Sequence, residues 1–367
     1  MRVEFVSPYN HSPKTGIGRY MHTLKSHLER SIEVSVKPMR FAPFSSRLSF
    51  LRNFPLAIEG HVSGSIVHIP QIMGCFVLSR RDYFPSVVTV HDLGMLETPL
   101  DQPLFNRFDR WVLHQQLQGL KRADLVLVHS DRTRKGLTHH LDIKGSAIVK
   151  VPSSIDSTHF RPIKDAKEYV SRGYGIDFDE KTSYLIYVGS ELPRKNMKLL
   201  FEALAVLKGR KRKVMLLKVG GAGGDTWRAL TISDAERFGC LENVIFTDRV
   251  SETDLPFFYN SADICVTPTR LEGGFAWLAM EGMACEKPIV ATVDALVPES
   301  ARAATFVVQD DDPVAFADAI DTLILYPELR KQMGEKGREI ITSYTWQSEA
   351  RCTIEAYTRL LNQSDSC

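Results

Sequence analysis

Hydrophobic residues along the chain fall into short continuous runs that alternate with longer amphipathic stretches. Residues 87–90 and 125–128 are apolar runs of strand length, whereas residues 20–28 and 113–120 repeat apolar side chains at helical spacing. Strands that are apolar on both faces are typical of a parallel sheet covered by helices on both sides. This first series of elements predicts an N-terminal Rossmann-like domain over residues 1–165.

The same alternation begins again in the second half of the chain. Runs of mostly apolar residues recur at 184–188, 214–219 and 264–267, separated by helical patterns. This second series predicts another Rossmann-like domain over residues 183–345. The fold class is therefore α/β with two parallel-sheet domains. Ligands of such sheets bind beyond the carboxyl ends of the strands, so we expect the site to lie in a central cleft faced by both domains.

Two stretches lie outside the predicted domains. Residues 166–182 are mixed and polar and contain Gly173 and Gly175, which is typical of a linker. Residues 346–367 show a helical pattern. We expect this C-terminal helix to pack back on the N-terminal domain.

The composition is that of a globular protein. Of 367 residues, 44% are hydrophobic and 25% are charged, which excludes a disordered, collagen-like or polytopic membrane protein. The run Met1–Val6 contains charged residues, so we predict a first strand rather than a signal peptide, and a cytoplasmic protein. Six cysteines show neither a CxxC pair nor zinc spacing and are predicted to be reduced thiols.

A net charge of +2 conceals opposite charges in the two halves. Residues 1–165 carry 22 Lys and Arg against 14 Asp and Glu, whereas the remaining residues carry 24 against 30. The N-terminal half is therefore expected to face an anionic partner. Its segment Arg40–Phe54 has three Arg, four Phe and no acidic residue, which suits an anionic membrane surface but equally a half-buried loop. No nucleic-acid-binding module is recognisable, so we predict no nucleic acid partner.

A pair of glycines follows the first predicted strand. Gly16 and Gly18, in the stretch KTGIGRY, stand between that strand and a helix. Glycine lets a ligand approach the backbone, and the start of a helix attracts an anion, although a plain strand–helix turn has the same pattern. The spacing differs from the GxGxxG of dinucleotide-binding enzymes, as does that of the glycine-rich turn at 220–224. A hydride-transferring enzyme is therefore not favoured.

Two adjacent cations follow the first strand of the second domain. Arg194 and Lys195 come directly after the sequence YVGSELP. At the carboxyl end of a parallel strand, the donor fork of an arginine and the point charge of a lysine suit a diphosphate. The alternative is a pair of solvated surface cations.

A glycine-containing turn before a helix is the third candidate. The stretch TRLEGGFAWLAMEGMAC at 269–285 follows a predicted strand and continues into a helix. Free amides at the start of that helix suit phosphate or sugar oxygens. Glu281, on the helix, suits the hydroxyls of a ribose, although an isolated helical glutamate is usually solvated.

Together these stretches resemble the retaining glycosyltransferases of the B-type two-domain fold, family four, which includes many bacterial mannosyltransferases. VVTVHDL at 87–93, ADLVLVHS at 123–130 and VPSSIDSTHF at 151–160 are similar to further landmarks of that family. The family signature has two glutamates separated by seven residues. Glu281 fits the second glutamate, but the first falls on Gly273, with Glu272 one residue earlier.

The motifs and the resemblance together predict the site residues. In the family, a histidine in the landmark that contains His91 lies near the donor sugar and the acceptor; a histidine at a strand end is otherwise often structural. The predicted catalytic residues are Arg194, Lys195 and His91. The predicted donor-binding residues are Gly16, Gly18, Val250, Glu272, Gly274, Phe275, Ala276, Trp277 and Glu281.

The resemblance implies transfer of a hexose, with retention, from a nucleotide diphosphate sugar to a glycan or lipid-linked acceptor in cell-surface polysaccharide assembly. A GDP-sugar carrying mannose or a deoxyhexose is favoured over a UDP-sugar, and no cofactor is expected. Acidic groups at Asp177, Asp179 and 310–312 lie outside the motifs, so we predict metal independence. Two alternatives remain: a nucleotide-sugar epimerase of related fold, and a donor-binding subunit without catalysis. A peripheral position on the inner face of the cytoplasmic membrane follows if the acceptor is lipid-linked.

Overall fold

The structure, a computed structural model, describes residues 1–7, 16–41, 55–97, 107–274, 276–309 and 311–364. It divides into two compact units. The first comprises residues 1–154 and 346–367, and the second comprises residues 155–345. Each unit is an α/β unit with its own sheet, so the predicted fold class is confirmed.

Among the described residues, the sheet of the first unit has seven strands. They are β1 (Arg2–Ser7), β2 (Glu33–Phe41), β3 (Pro55–Ile58), β4 (Ile66–Ile69), β5 (Ser86–Val90), β6 (Leu125–Val128) and β7 (Ile148–Lys150). Their order is β3-β2-β1-β4-β5-β6-β7, and all neighbours are parallel except β2 and β3. Every residue of β4, β5 and β6 is buried, because helices cover both faces of a parallel sheet.

In the part of this unit that the structure describes, the helices that alternate with these strands are α1 (Gly16–Leu28), α2 (Phe76–Arg80), α3 (Gly94–Glu97), α4 (Arg107–Lys121) and α5 (Asp131–Leu141). Both glycines of KTGIGRY lie in the first turn of α1, rather than in a loop before it. The reason is the packing period of the helix, since Gly18 shares the buried face with Met21, Leu24 and Leu28.

The sheet of the second unit has six strands: β8 (Ser183–Val188), β9 (Val214–Val219), β10 (Val244–Thr247), β11 (Ile264–Thr267), β12 (Ile289–Thr292) and β13 (Thr305–Val308). All pairs are parallel, in the order β10-β9-β8-β11-β12-β13. The chain first extends the sheet on one side of β8 and then, from β11, on the other. The carboxyl ends of β8 and β11 therefore meet at the point where the strand order reverses, where open α/β sheets bind ligands.

The remaining helices are α6 (Ala166–Tyr174), α7 (Met197–Gly209), α8 (Asp225–Arg237), α9 (Leu255–Ser261), α10 (Trp277–Ala284), α11 (Pro313–Leu325), α12 (Pro327–Ile341) and α13 (Trp346–Ser364). The last, α13, belongs to the first unit and packs against α1. Within the described ranges, no helix combines the length and the apolar character needed to cross a membrane.

The boundary between the units differs from the one predicted. Residues 155–182, assigned from the sequence to the end of the first domain and a linker, belong to the second unit, and α6 packs against α9. The polar average of this stretch conceals widely spaced apolar residues, Phe160, Val170 and Ile176 among them, which are buried in the second unit's core. Gly175, read as a linker residue, instead ends α6 in a left-handed conformation with φ of 66°.

Candidate active site

Two loops meet at the switch point of the second sheet. After β8, a short 3-10 helix at Pro193–Lys195 leads through Asn196, with φ of 51°, into α7. After β11, a loop at 268–276 leads into α10. The backbone N–H of Arg270 donates to the carbonyl of Arg194 at 2.7 Å, which fastens one loop to the other. The two predicted cations and the signature-like stretch are therefore brought together.

The carboxylate of Glu272 lies against both cations. Its Oε1 forms an ion pair with Lys195 Nζ, lies 3.6 Å from Arg194 Nη1, and accepts from Thr269 Oγ1 at 2.9 Å. The side chains of Arg194, Lys195 and Glu272 are 27%, 20% and 16% exposed, respectively. Burial raises the pKa of Glu272, but Lys195 and Arg194 outweigh burial and hold that pKa below its ordinary value. The three groups therefore carry a net positive charge.

The loop conformation explains how Glu272 reaches the cations from a position one residue early. Leu271, just before it, has φ of 61°, a left-handed conformation that is uncommon for a non-glycine residue. Asp294, just after β12, stabilises this turn: its Oδ2 accepts from Leu271 N at 3.1 Å and its carbonyl from Glu272 N at 3.3 Å. The left-handed turn at Leu271 thus sets the direction in which the side chain of Glu272 leaves the loop.

In the rest of this loop, a backbone N–H that the sequence predicts to be available to a ligand is already hydrogen-bonded within the protein. The N–H of Ala276, expected to be free for a ligand, donates to the carbonyl of Ala295 at 3.2 Å, because the loop packs against the segment after β12. Gly274 and Trp277 are half-buried, and Trp277 begins α10. Phe275 lies outside the described residues.

The second signature glutamate lies in the core. Glu281 is 2% exposed, and its Oε2 accepts from Tyr259 Oη at 2.6 Å. It is in the second turn of α10, which packs against β11, β12 and α12. The structure therefore places it among buried residues, where the sequence predicted a carboxylate open to a ribose. Val250, soon after β10, is half-buried against the same core.

A buried ion-pair cluster near the cation-bearing turn was missed from the sequence. Lys218 Nζ lies 2.7 Å from Glu191 Oε1, and both side chains are fully buried. Arg228 Nε, on α8, donates to both oxygens of Glu191 at 3.0 Å. Burial lowers the pKa of Lys218, although Glu191 opposes that shift. The cluster ties the turn after β8 to β9 and α8. The lysine inside the apolar run VMLLKV could have indicated this cluster from the sequence, because a lysine buried in a strand requires an acidic partner.

The predicted residues of the first unit lie near the carboxyl ends of its strands. His91 follows β5 directly, and its Nε2 donates to the carbonyl of Pro70 at 2.9 Å. Burial lowers the pKa of His91 to about 4, so the imidazole is uncharged at neutral pH. Because Nε2 carries the proton, Nδ1 is left as a hydrogen-bond acceptor. Gly16 is exposed at the first residue of α1, and Gly18 is buried.

Two aromatic rings hold His91 in place. The ring of Tyr20 meets it edge-on at 4.6 Å between centroids, and the ring of His129 stacks on it at 5.4 Å with an interplanar angle of 21°. The sequence predicts His129 to be merely structural or on the surface. Its place after β6, the next strand of the sheet, was the signal that links it to His91, since parallel strands end at the same edge.

The acidic groups considered for a metal have other partners. Asp312 caps α11, its Oδ1 accepting from Ala315 N at 2.9 Å. Asp179 accepts from Thr182 Oγ1 at 2.7 Å. Asp310 lies outside the described residues. In the part of the chain that the structure describes, no three His, Cys, Asp or Glu side chains are grouped as a metal site.

Comparison with solved structures identifies the fold. Sucrose-phosphate synthase from Thermosynechococcus elongatus superimposes with a TM-score of 0.78 over 99% of this chain and 100% of that chain, at 20% sequence identity. The two parallel-sheet units are thus those of the GT-B glycosyltransferase fold.

Sequence relatives give the family. The profile described as "Glycosyl transferases group 1" matches residues 175–340. The chain is 31% identical to a D-inositol 3-phosphate glycosyltransferase of Corynebacterium jeikeium, over 88% of this chain and 78% of that protein. It is 25% identical to O-antigen chain mannosyltransferase B of Escherichia coli, over 98% of this chain and 100% of that protein. Three other D-inositol 3-phosphate glycosyltransferases also align with this chain, but the alignments span only 58% to 65% of the length of those proteins. The chain belongs to the group 1 glycosyltransferases, so the family inferred from the motifs is confirmed.

Proposed function

We propose that the protein is a retaining, metal-independent hexosyltransferase that uses a nucleotide diphosphate sugar. The observation that carries this proposal is the convergence of Arg194 and Lys195 on Glu272 at the switch point of the second sheet. In the reaction, the bond between the anomeric carbon and the diphosphate breaks, and a bond to the acceptor oxygen forms. The acceptor's proton leaves with the diphosphate.

The leaving diphosphate requires fixed positive charge. Arg194 and Lys195 are partly buried and already oriented by Glu272, so little rearrangement is needed when charge develops on the departing oxygen. Preorganised charge of this kind contributes several kcal/mol to stabilisation of a transition state. Two cations and one carboxylate leave a positive charge for the donor without a metal ion.

Glu272 takes the part of the first signature glutamate in this proposal. Its backbone position is displaced, but the turn at Leu271 directs its carboxylate to the cations. Oε1 is shared by Lys195, Arg194 and Thr269. The other oxygen, Oε2, is the group that we assign to a hydroxyl of the donor sugar.

His91 acts on a hydroxyl of the sugar or the acceptor. Its neutral imidazole keeps Nε2–H on the Pro70 carbonyl and offers Nδ1 as an acceptor. A hydrogen bond from a hydroxyl to Nδ1 orients that hydroxyl. Substitution of His91 by alanine is therefore expected to lower turnover.

The donor and acceptor are proposed from the relatives' names and the sequence. The mannosyltransferase, which aligns over nearly the full chain, supports mannose as the transferred sugar and a growing surface glycan as acceptor. The preference for a GDP-sugar, with a deoxyhexose as the other candidate sugar, rests on the sequence motifs alone. The relative named for D-inositol 3-phosphate supports a phosphorylated polyol as the competing acceptor.

A ligand panel followed by a transfer assay tests the function. Thermal shifts are measured with GDP-mannose, GDP-fucose, UDP-glucose and ADP-glucose, because a ligand at 100 times its Kd stabilises a protein by about 2.7 kcal/mol. The stabilising donor is then incubated with a lipid-linked glycan or inositol 3-phosphate, and the anomeric configuration of the product is determined by NMR. A retained configuration and dependence on acceptor support the proposal. Conversion of the donor to an epimer without acceptor, or binding without turnover, overturns it.

The membrane-docking segment remains a prediction. Arg40 and Phe41 end β2, and residues 42–54 lie outside the described residues. Each cation near an anionic surface contributes about 1 kcal/mol, so binding is expected to be weak, reversible and reduced by salt. Cosedimentation with anionic vesicles should fall in Arg47→Ser/Arg52→Ser and stay unchanged in Arg132→Ser/Lys135→Ser, which removes equal charge from α5. Equal binding by both double variants contradicts docking through this segment.

A further inference from the structure

The C-terminal helix buries a stripe of polar side chains in the first unit. Glu349, Thr353 and Tyr357 are spaced by four residues on α13, so they share one face, and all are at most 1% exposed. Buried polar groups are costly unless they are hydrogen-bonded, so each of these side chains requires a partner.

One end of the stripe is fully paired. Tyr357 Oη lies 2.6 Å from Nδ1 of His68, and Nε2 of that ring lies 2.7 Å from Thr89 Oγ1. This chain of contacts runs from α13 through β4 to β5. It shows that the polar face of α13 packs against residues of neighbouring strands.

The other end of the stripe faces His129. Glu349 Oε1 lies 4.0 Å from His129 Nδ1, and neither atom has a hydrogen-bond partner among the described residues. His129 also forms hydrogen bonds to the backbone at Val151 and Pro152. Since Nδ1 is not the nitrogen involved, Nε2 carries the proton there, and Nδ1 is an acceptor in the neutral ring.

The charge states of the pair are complementary. Burial raises the pKa of Glu349 to about 8 and lowers the pKa of His129 to about 3, so both groups are uncharged at neutral pH. A protonated carboxyl is a donor, and an unprotonated Nδ1 is its acceptor. A shift of about 1 Å brings the 4.0 Å separation within hydrogen-bond distance.

We propose that Glu349 is a positioning residue for His91, acting through His129: the protonated carboxyl of α13 holds the imidazole of His129, on whose face the ring of His91 stacks. The inference rests on the role of His91 in the proposed function. It assigns to the C-terminal helix a part in the reaction, through a side chain that touches neither donor nor acceptor.

Glu349 is the group in this cluster whose charge changes near neutral to alkaline pH. It is faced by Ser154 and by Tyr20 from α1, whose hydrogen bonds to the carboxyl oppose the effect of burial on its pKa. It is also faced by His129 after β6 and, beyond His129, by His91 after β5. Burial raises the pKa of Tyr20 well above its ordinary value, and it lowers the pKa of His91 to about 4. The pKa of His68 is lowered to about 3 and that of Tyr357 is raised, so both of these groups also stay uncharged. Deprotonation of Glu349 thus removes the donor from His129.

The experiment is a pH profile of kcat and KM for the donor, between about pH 6 and 9.5. In the wild type, kcat is expected to fall through about pH 8 and to level off near the value of the alanine variant, about tenfold lower. Glu349→Gln replaces the carboxyl with an amide that donates at every pH; it should keep kcat within about twofold at pH 7 and remove the alkaline decline. Glu349→Ala should lower kcat by about tenfold with donor KM unchanged. Glu355→Gln, on the exposed face of α13, is the matched control and should follow the wild type.

Two results overturn the inference: an alkaline decline in Glu349→Gln equal to that of the wild type, or a wild-type kcat in folded Glu349→Ala. If the alanine variant does not fold, the glutamine profile decides alone. Imidazole NMR of the full-length protein gives a readout that needs no turnover: the His129 ring resonances should titrate near pH 8 in the wild type and not in Glu349→Gln. The proposed function fails separately, if no donor is transferred or if His91→Ala retains full turnover.

Discussion

The buried histidine His68 should make the first unit lose stability in mild acid. Its side chain is fully buried between Tyr357 and Thr89, and burial lowers its pKa from 6.5 to about 3. A group with a depressed pKa contributes stability above its unfolded pKa and loses that contribution as the pH falls toward its folded pKa. Between pH 7 and pH 5 the unfolded chain takes up a proton at this position and the folded chain does not.

The size of the effect follows from the pKa values. A pH of 5 lies about 1.5 units below the pKa of 6.5 that the histidine has in the unfolded chain. Each pH unit corresponds to 1.36 kcal/mol, so the free energy of unfolding of the first unit falls by about 2 kcal/mol through His68 alone. That is a factor of about 30 in the opening equilibrium. Other groups titrate in the same range, so the informative quantity is the difference between the wild type and a variant that cannot titrate.

Hydrogen exchange measured by mass spectrometry reads this equilibrium locally. His68→Gln keeps a polar side chain between Tyr357 and Thr89 but takes up no proton. After correction for intrinsic rates, protection of the peptide that covers β4 should fall about 30-fold more between pH 7 and pH 5 in the wild type than in His68→Gln. Peptides of β8, in the second unit, provide an internal reference. The same substitution at His140, exposed on α5, is the control and should follow the wild type. If the loss of protection is equal in the wild type and His68→Gln, the reasoning is refuted.

Three further predictions concern the active site. Lys195→Ala should lower turnover by about 10²-fold or more while the protein stays folded, because the proposed function gives Lys195 the charge of the leaving diphosphate to stabilise; near-normal kcat would contradict this role. Glu272→Gln should lower turnover more than Glu281→Gln, since Glu272 contacts both cations whereas Glu281 is bonded to Tyr259, and the reverse order would exchange the two assignments. Activity should persist in EDTA; a loss that Mg²⁺ or Mn²⁺ restores would show that a metal is required.

The sequence alone was sufficient for the architecture and for the cation-bearing turn. Two series of apolar runs separated by helical patterns predict two parallel sheets, because only strands covered on both faces are continuously apolar. The position of Arg194 and Lys195 at the carboxyl end of β8 was predictable because ligand-binding loops follow the carboxyl ends of such strands, and this order is visible along the chain. The linker predicted at 166–182 differs from the structure, where α6 packs against α9. The average polarity of a stretch does not reveal which few side chains of a surface helix are buried.

The tertiary structure decided the partners of these residues. That Glu272 reaches Lys195 from one residue early depends on a left-handed turn at Leu271, which Asp294 of another loop stabilises. The burial of Glu281 beside Tyr259, and of Lys218 beside Glu191, depends on how helices and loops pack against the second sheet.

The environment of His91 shows most clearly which properties the sequence determines and which depend on the tertiary structure. The sequence determined that a histidine follows an apolar strand, and hence that it lies at the carboxyl edge of a parallel sheet. It did not determine that His129 stacks on that ring or that Glu349, far along the chain, faces His129. Strand order and the docking of α13 bring these groups together, and these depend on long-range packing rather than on local propensity. Their charge states depend on that packing as well, since burial shifts each pKa only once the fold has excluded water.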